Sequence, residues 1–433
     1  VRIRTVLTIA LVATALIPLS GGLYPPLQDL PNHLLEADII AAPHRYAPWF
    51  RLHLHAAPNL LTQLLLAAFC HLMHPQIASI VLLLTIQLLY GLGALALCRT
   101  LFNRSTAVLA LLMLWSWHFF LWRGYLNYSL GCALVLWGIT LYHRARQRSA
   151  PSRLMLFVPF TALLYSVHLL CLGVWLSYVI LHEIFENKRL SGATIASVVL
   201  SVTLAVWYAI SLPSGEGLSW EYGSGLWKIS SLKRILAMPV VSTLTNQLLM
   251  SALIIYNLGK YLLFAGTLLS TPWYARTLSR GTGLWMVLWV VAYVVLPTKT
   301  GALEVDNRVI FIPLLLASAY CVQALYLRGV QRTALAIGLG SALVLQVVVS
   351  TIQYAGGSTD LHSRLEEQQA MGKLDKSALA VHLRSNEALR RNAVQRMLEP
   401  LRLHTDETQR TLPDLHAECY LFMDSPKEFG AIP

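Results

Sequence analysis

Charged residues are scarce. Asp, Glu, Lys and Arg make up 12% of the 433 residues, while hydrophobic types fill 56%, and the mean hydropathy is +0.57. Average soluble domains carry roughly 25% charged residues, so a soluble globular chain is excluded and an all-α polytopic membrane protein is expected. Acids are scarcer than bases, 21 against 33, which leaves a net charge of +12. The Lys and Arg residues come in small clusters between apolar runs rather than in one stripe, a pattern that fits membrane topology and not nucleic-acid binding. Cysteine is sparse as well. The six residues form no CxxC pair and no spaced framework, which argues against disulfides and structural zinc. Internal repeats and low-complexity tracts are lacking too. The first apolar run has no convincing small-x-small cleavage site and reads as a retained helix.

About twenty apolar residues cross the roughly 30 Å hydrocarbon core of a bilayer. Such runs fall near 5–23, 77–97, 106–122, 126–142, 154–168, 169–186, 192–212, 257–275, 284–297, 309–327 and 333–353, giving about 11 transmembrane helices. Residues 58–73, flanked by histidines, would form a helix of only about 24 Å and are expected to lie flat at the interface. Alternate loops should then be basic on the cytoplasmic side. One set of loops does hold Arg99 and Arg104, Arg144, Arg146, Arg148 and Arg153, Lys188 and Arg189, Arg276 and Arg280, and Arg328 and Arg332. That set and the N-terminus are placed inside, in the cytoplasmic (inner) membrane. The other set is longer, mixes acids with bases and faces outward. Residues 1–353 form the transmembrane domain, and 354–433 a small α-rich C-terminal domain on the outer, periplasmic side. A helix is expected over 361–402 and a short strand at 418–424.

The first outer loop, 24–76, opens with "YPPLQDLPNHLLEAD", and six of the fourteen histidines lie between His33 and His74. Pro31 suits the first turn of a helix and biases Leu30 towards an extended conformation, which sets Asp29 just ahead of the helix. There the helix dipole favours an ionised carboxylate. His33, Glu36 and Ile40 share one helix face, and Asp38 points elsewhere. Farther on, "LPTKTGALEVDNRVIF" brings Lys299, Glu304, Asp306 and Arg308 to the outer mouth of two spans, and basic groups there suit a phosphate. Lys260, in "YNLGKYLLFAG", would cost at least about 2.5–3.5 kcal/mol at the bilayer centre. A span that starts near Asn257 avoids this cost, places Lys260 near the outer rim and leaves 233–256 as an outer or re-entrant segment. "WRGYLNY" and "LYSVHLL" turn on the same side and carry Arg123, Asn127 and His168. Plainer roles stay open: Asp29 as a helix cap, Lys260 as a residue snorkelling to a lipid phosphate, Arg123 and His168 as satisfied rim residues. His53 and His55 would ligate a metal from a strand, which nothing in the sequence supports there.

This topology, with "PPLQDLPNH", "RGYLNY" and "DNR", resembles the GT-C superfamily of integral-membrane glycosyltransferases, which includes protein O-mannosyltransferases and lipid A aminoarabinose transferases. The likeness covers residues 1–353. It implies a large first outer loop with interfacial helices and an essential acid soon after the first helix. It also implies a polyprenyl-phosphate-linked sugar as donor and a lipid, polysaccharide or protein as acceptor, with membrane lipids around both. The chain has no GxGxxG for a nucleotide and no DxD for a divalent metal, so no cofactor is expected. By this resemblance Asp29 takes the proton from the acceptor hydroxyl, and His33 or Glu36 orients Asp29 or the acceptor. Lys260, Lys299 and Arg308 stabilise the leaving phosphate, with Arg123, Asn127, His168 and Asp306 behind them. Three rivals are an outer-face polysaccharide polymerase or ligase, a multi-span transporter, and a catalytically silent scaffold whose terminal domain recruits partners. Transporters usually show internal repeats and broken helices with polar residues near the midplane.

Overall fold

The computed structural model describes residues 2–43, 57–103, 105–211, 220–238, 247–300, 303–327 and 332–370. The chain is an all-α membrane protein. In order, the elements are α1 (Arg2–Ala13), α2 (Leu30–Ala41), α3 (Leu61–Leu72), α4 (Pro75–Leu101), α5 (Thr106–Met113), α6 (Phe119–Trp122), α7 (Leu126–Ala145), α8 (Ala150–Val167) and α9 (Leu169–His182). They continue with α10 (Gly192–Ser211), α11 (Gly225–Leu236), α12 (Gln247–Leu269), α13 (Thr271–Tyr274), α14 (Arg280–Val295), α15 (Asp306–Leu327) and α16 (Arg332–Ala370). Three two-residue strands, β1 (Trp220–Glu221), β2 (Lys299–Thr300) and β3 (Leu303–Glu304), pair antiparallel in that order.

Among the described residues, 7 helices are long and apolar enough to cross a membrane: α4, α8, α9 with its continuation to Asn187, α10, α12, α15 and α16. The other four expected runs take different forms. α14 has only 16 residues. α7 is more polar and is buried on nearly every side, the position of a central helix. The first and third runs are interrupted. α1 stops at Ala13 and a 3-10 turn, Ile17–Gly21, follows. Pro18 explains the stop, since in a continuous helix its ring would strike the carbonyl of Thr14. α5 stops at Met113, residues 114–118 form a turn, and α6 restarts where His118 Nδ1 accepts the Leu121 N–H at 3.3 Å, as an N-cap does. α3, at 12 residues, is about 18 Å long, too short to span. α16 runs 39 residues without a break, about 58 Å, so it continues through residue 353. The strand expected at 418–424 and the helix beyond residue 370 lie outside the described residues.

Small residues let α7 approach its neighbours. A Cβ on Gly131 would lie 2.5 Å from Cys171 Sγ, and one on Gly138 would lie 2.6 Å from both Phe160 and Trp175. The loops gather at two ends of the bundle. At one end Arg146 donates to Asn187 Oδ1 at 3.2 Å and the Gly281 N–H to Glu186 Oε1 at 3.2 Å. At the opposite end the Leu60 N–H donates to the Ser166 carbonyl at 2.7 Å, Lys228 Nζ to the Leu296 carbonyl at 2.8 Å, and the Tyr24 N–H to Ser358 Oγ at 3.0 Å.

Candidate functional site

The end that holds Tyr24 also holds most of the polar residues singled out by sequence. Asp29 is the residue before α2, with Pro31 in the helix's first turn. Its side chain makes no capping hydrogen bond to the helix, although it is engaged elsewhere. The chain entering α2 is fixed by backbone: the Gln28 N–H donates to the Trp122 carbonyl at 3.2 Å and the Asp29 N–H to the Arg123 carbonyl at 3.1 Å. Gly124 makes this approach possible. Its φ is +82°, and a Cβ there would lie 2.5 Å from Asp29 N. The motifs "PPLQDLPNH" and "RGYLNY" are therefore one joint.

His33 and Glu36 are buried on the shared face expected for them, at 3% and 1% exposure. Asn127 Nδ2 donates to Gln63 Oε1 at 3.0 Å, which fixes the amide orientation of Gln63. Gln63 Nε2 then donates to His33 Nδ1 at 3.3 Å, and His33 Nε2 donates to the Gly124 carbonyl at 3.0 Å. This chain of donors joins α7, α3, α2 and the 122–124 turn through buried side chains. Glu36 Oε2 stands 3.7 Å from His33 Nδ1.

Two arginines converge on Tyr125. Arg308 Cζ lies 4.2 Å from the ring centroid and Arg123 Cζ 5.9 Å, both within cation–π range. Tyr128 O–H donates to the Arg308 carbonyl at 2.5 Å, which ties "RGYLNY" to "DNR". His168, between α8 and α9, packs edge-on against Tyr128 at 5.1 Å. Burial, with Arg308 second, holds its pKa well below the usual histidine range. Ser231 of α11 donates to Asn307 Oδ1 and anchors the start of α15. Asp306 is the first residue of α15, and Lys299 lies in β2, opposite Glu221 and Glu304.

Lys260 departs from expectation. α12 runs through it from Gln247 to Leu269, so it sits mid-helix rather than near the outer rim, and 247–256 belongs to the same helix. It is 2% exposed. The rings of Trp115 (4.2 Å) and Tyr256 (5.1 Å) hold its ammonium, and this cation–π contact offsets part of the cost that the sequence argument charged against a central position. The contacts that link it to the Arg308–Tyr125 pair run through Phe311, which packs on Trp115 at 5.7 Å and on Phe120 at 5.7 Å.

Gln63 and Tyr125 escaped the sequence reading. Gln63 was detectable as the one amide in the apolar run "LTQLLLAAF". His53 and His55 lie outside the described residues. Among the described residues no three His, Cys, Asp or Glu side chains gather as a metal site. Compared with family models, curated proteins and solved structures, the chain matches none.

Proposed function

We propose that the chain is a GT-C-type membrane glycosyltransferase with about 11 crossings, moving a sugar from a polyprenyl-phosphate carrier to a lipid, polysaccharide or protein acceptor at the outer face of the inner membrane. One observation carries the reading: the joint of α2 with the 122–124 turn puts the backbone of Asp29 on that of Arg123, beside the Arg308–Tyr125 pair. Asp29 and Arg123 thereby sit on adjoining backbone, with Arg123 and Arg308 both on the Tyr125 ring. Asp29 takes the proton of the acceptor hydroxyl as its oxygen attacks the anomeric carbon. The bond from that carbon to the phosphate oxygen breaks, and the polyprenyl phosphate leaves with its electron pair. Such a base contributes about 10²–10⁴-fold. Arg308 and Arg123 balance the charge on the leaving phosphate, worth about 10²–10³-fold for one such donor. His33, bonded to the Gly124 carbonyl with Glu36 beside it, keeps α2 in register with the turn. Incubating the purified chain with a polyprenyl-phosphate sugar and cell-envelope lipids, and following sugar transfer for the parent and for Arg308→Ala, tests the reading. Transfer by the parent and a loss of at least about 10²-fold in the variant are expected.

A multi-span transporter is the second reading. The interruptions at 14–16 and 114–118 favour it, because broken helices mark transporter sites.

A further inference from the structure

The two helix interruptions meet. Trp117 Nε1 donates to the Ala15 carbonyl at 2.8 Å, so the broken ends of the first and third runs lie against each other inside the bundle. Non-helical backbone at membrane depth is tolerated where it is buried in protein or lines a cavity. Two long amides serve the 114–118 turn: Gln87 Nε2 donates to the Ser116 carbonyl at 3.1 Å and Gln346 Nε2 to Ser116 Oγ at 3.4 Å. Tyr256 O–H donates to the Leu114 carbonyl at 3.4 Å, and Lys260 lies over Trp115.

Around this turn several buried polar atoms have no hydrogen-bond partner among the described residues: Lys260 Nζ, Trp115 Nε1, Gln87 Oε1 and Gln346 Oε1. All four side chains are 1–2% exposed. The aromatic faces of Trp115 and Tyr256 answer the charge of Lys260 but not its three N–H donors, and a buried ammonium without an acceptor is costly. No carboxylate pairs with it among the described residues. The chemistry left over is specific in kind: two donors, one cationic, and two amide acceptors.

We propose that the 114–118 turn and Lys260 form a second binding site, separate from the Asp29 site, for a hydroxylated oxyanion of the glycerol phosphate type. The oxyanion accepts from Lys260 Nζ and Trp115 Nε1, and hydroxyl groups donate to the carbonyl oxygens of Gln87 and Gln346. A lipid headgroup and a free solute share this chemistry, and the test tells them apart.

The full chain is placed in phosphatidylcholine nanodiscs, and its thermal midpoint is measured with glycerol 3-phosphate added or with phosphatidylglycerol mixed into the disc. A ligand that binds only the folded chain raises the midpoint by several degrees once well above its Kd. A rise with glycerol 3-phosphate identifies a small solute, and a rise with phosphatidylglycerol alone identifies a lipid. Lys260→Met replaces a buried amine with an apolar side chain of similar length and should fold without the anion. Its midpoint is expected to stay flat with either probe, while Lys260→Arg keeps the response. Trp115→Phe, which retains the ring and removes only Nε1–H, should lower the response to less than half. Asp29→Asn is expected to respond fully, so this result is independent of the proposed transfer reaction. No rise in the parent, or an equal rise in Lys260→Met, overturns the proposal.

Discussion

At Gly124 the backbone takes a left-handed turn, and the Asp29 N–H sits where a side chain would begin. Gly124→Ala is expected to cost about 1–3 kcal/mol through backbone strain and contact, read as a lowered unfolding midpoint. His168 gives a signed pH dependence. Its folded pKa is held low by burial and then by Arg308, whereas in the unfolded chain it titrates near about 6.5. The unfolded state therefore takes up a proton that the folded state refuses. Stability from the neutral ring is fully present above about pH 6.5 and falls below it, by up to about 1.4 kcal/mol per pH unit. His168→Asn is expected to flatten that acid limb by about one proton in midpoints measured between pH 5 and 7. The placing of Asp29 before α2 was legible because Pro31 marks the first turn. The donor chain through Gln63 was not, because sequence cannot tell which buried amide meets which imidazole.

For the elements, the close approaches separate glycines that matter from those that do not. A Cβ on Gly281 would lie 2.6 Å from His182 Cα, while one on Gly266 meets nothing within 4 Å. Gly281→Ala should push α14 from α9 and cost about 1–3 kcal/mol. Gly266→Ala should be neutral or stabilise by up to about 1 kcal/mol. Comparing the two midpoints in one detergent checks both. α4, α10 and α15 stand close to where their apolar runs predicted them, since length and hydropathy are what a bilayer selects. The break at 114–118 was hidden because "LLMLWSWHFFLW" is apolar but for Ser116 and His118, and hydropathy does not report backbone direction. The break after Ala13 escaped the reading of 5–23 as one span, although Pro18 marks it. Lys260 was misplaced because a charge-cost argument omits the rings of Trp115 and Tyr256 that face it.

On the scale of the whole molecule, the charge pattern and the fold agree. Arg144 lies in the last turn of α7, Arg146 and Arg148 follow it, and Lys188 and Arg189 follow the turn that Glu186 ties to Gly281; all five are exposed. Lys233 is exposed on α11 at the other end. The five described cysteines are buried or half-buried, so once Cys419 is replaced by Ser, single cysteines added at exposed sites report the side they face. The proposed orientation, with the basic end inside the cell, predicts that Lys233→Cys reacts with a membrane-impermeant maleimide in intact cells and Arg146→Cys only after permeabilisation. The division of loops between two ends was legible from arginine placement alone, whereas the joint between α2 and the 122–124 turn depends on long-range packing that no local pattern encodes. The central claim is that Asp29 does the proton chemistry at that joint. The most direct measurement is sugar transfer from a polyprenyl-phosphate donor by Asp29→Asn, at matched expression and unfolding midpoint, beside Arg146→Gln at the opposite end. The account predicts a fall of at least about 10²-fold for Asp29→Asn and unchanged transfer for Arg146→Gln. Transfer by Asp29→Asn equal to that of the parent would contradict it.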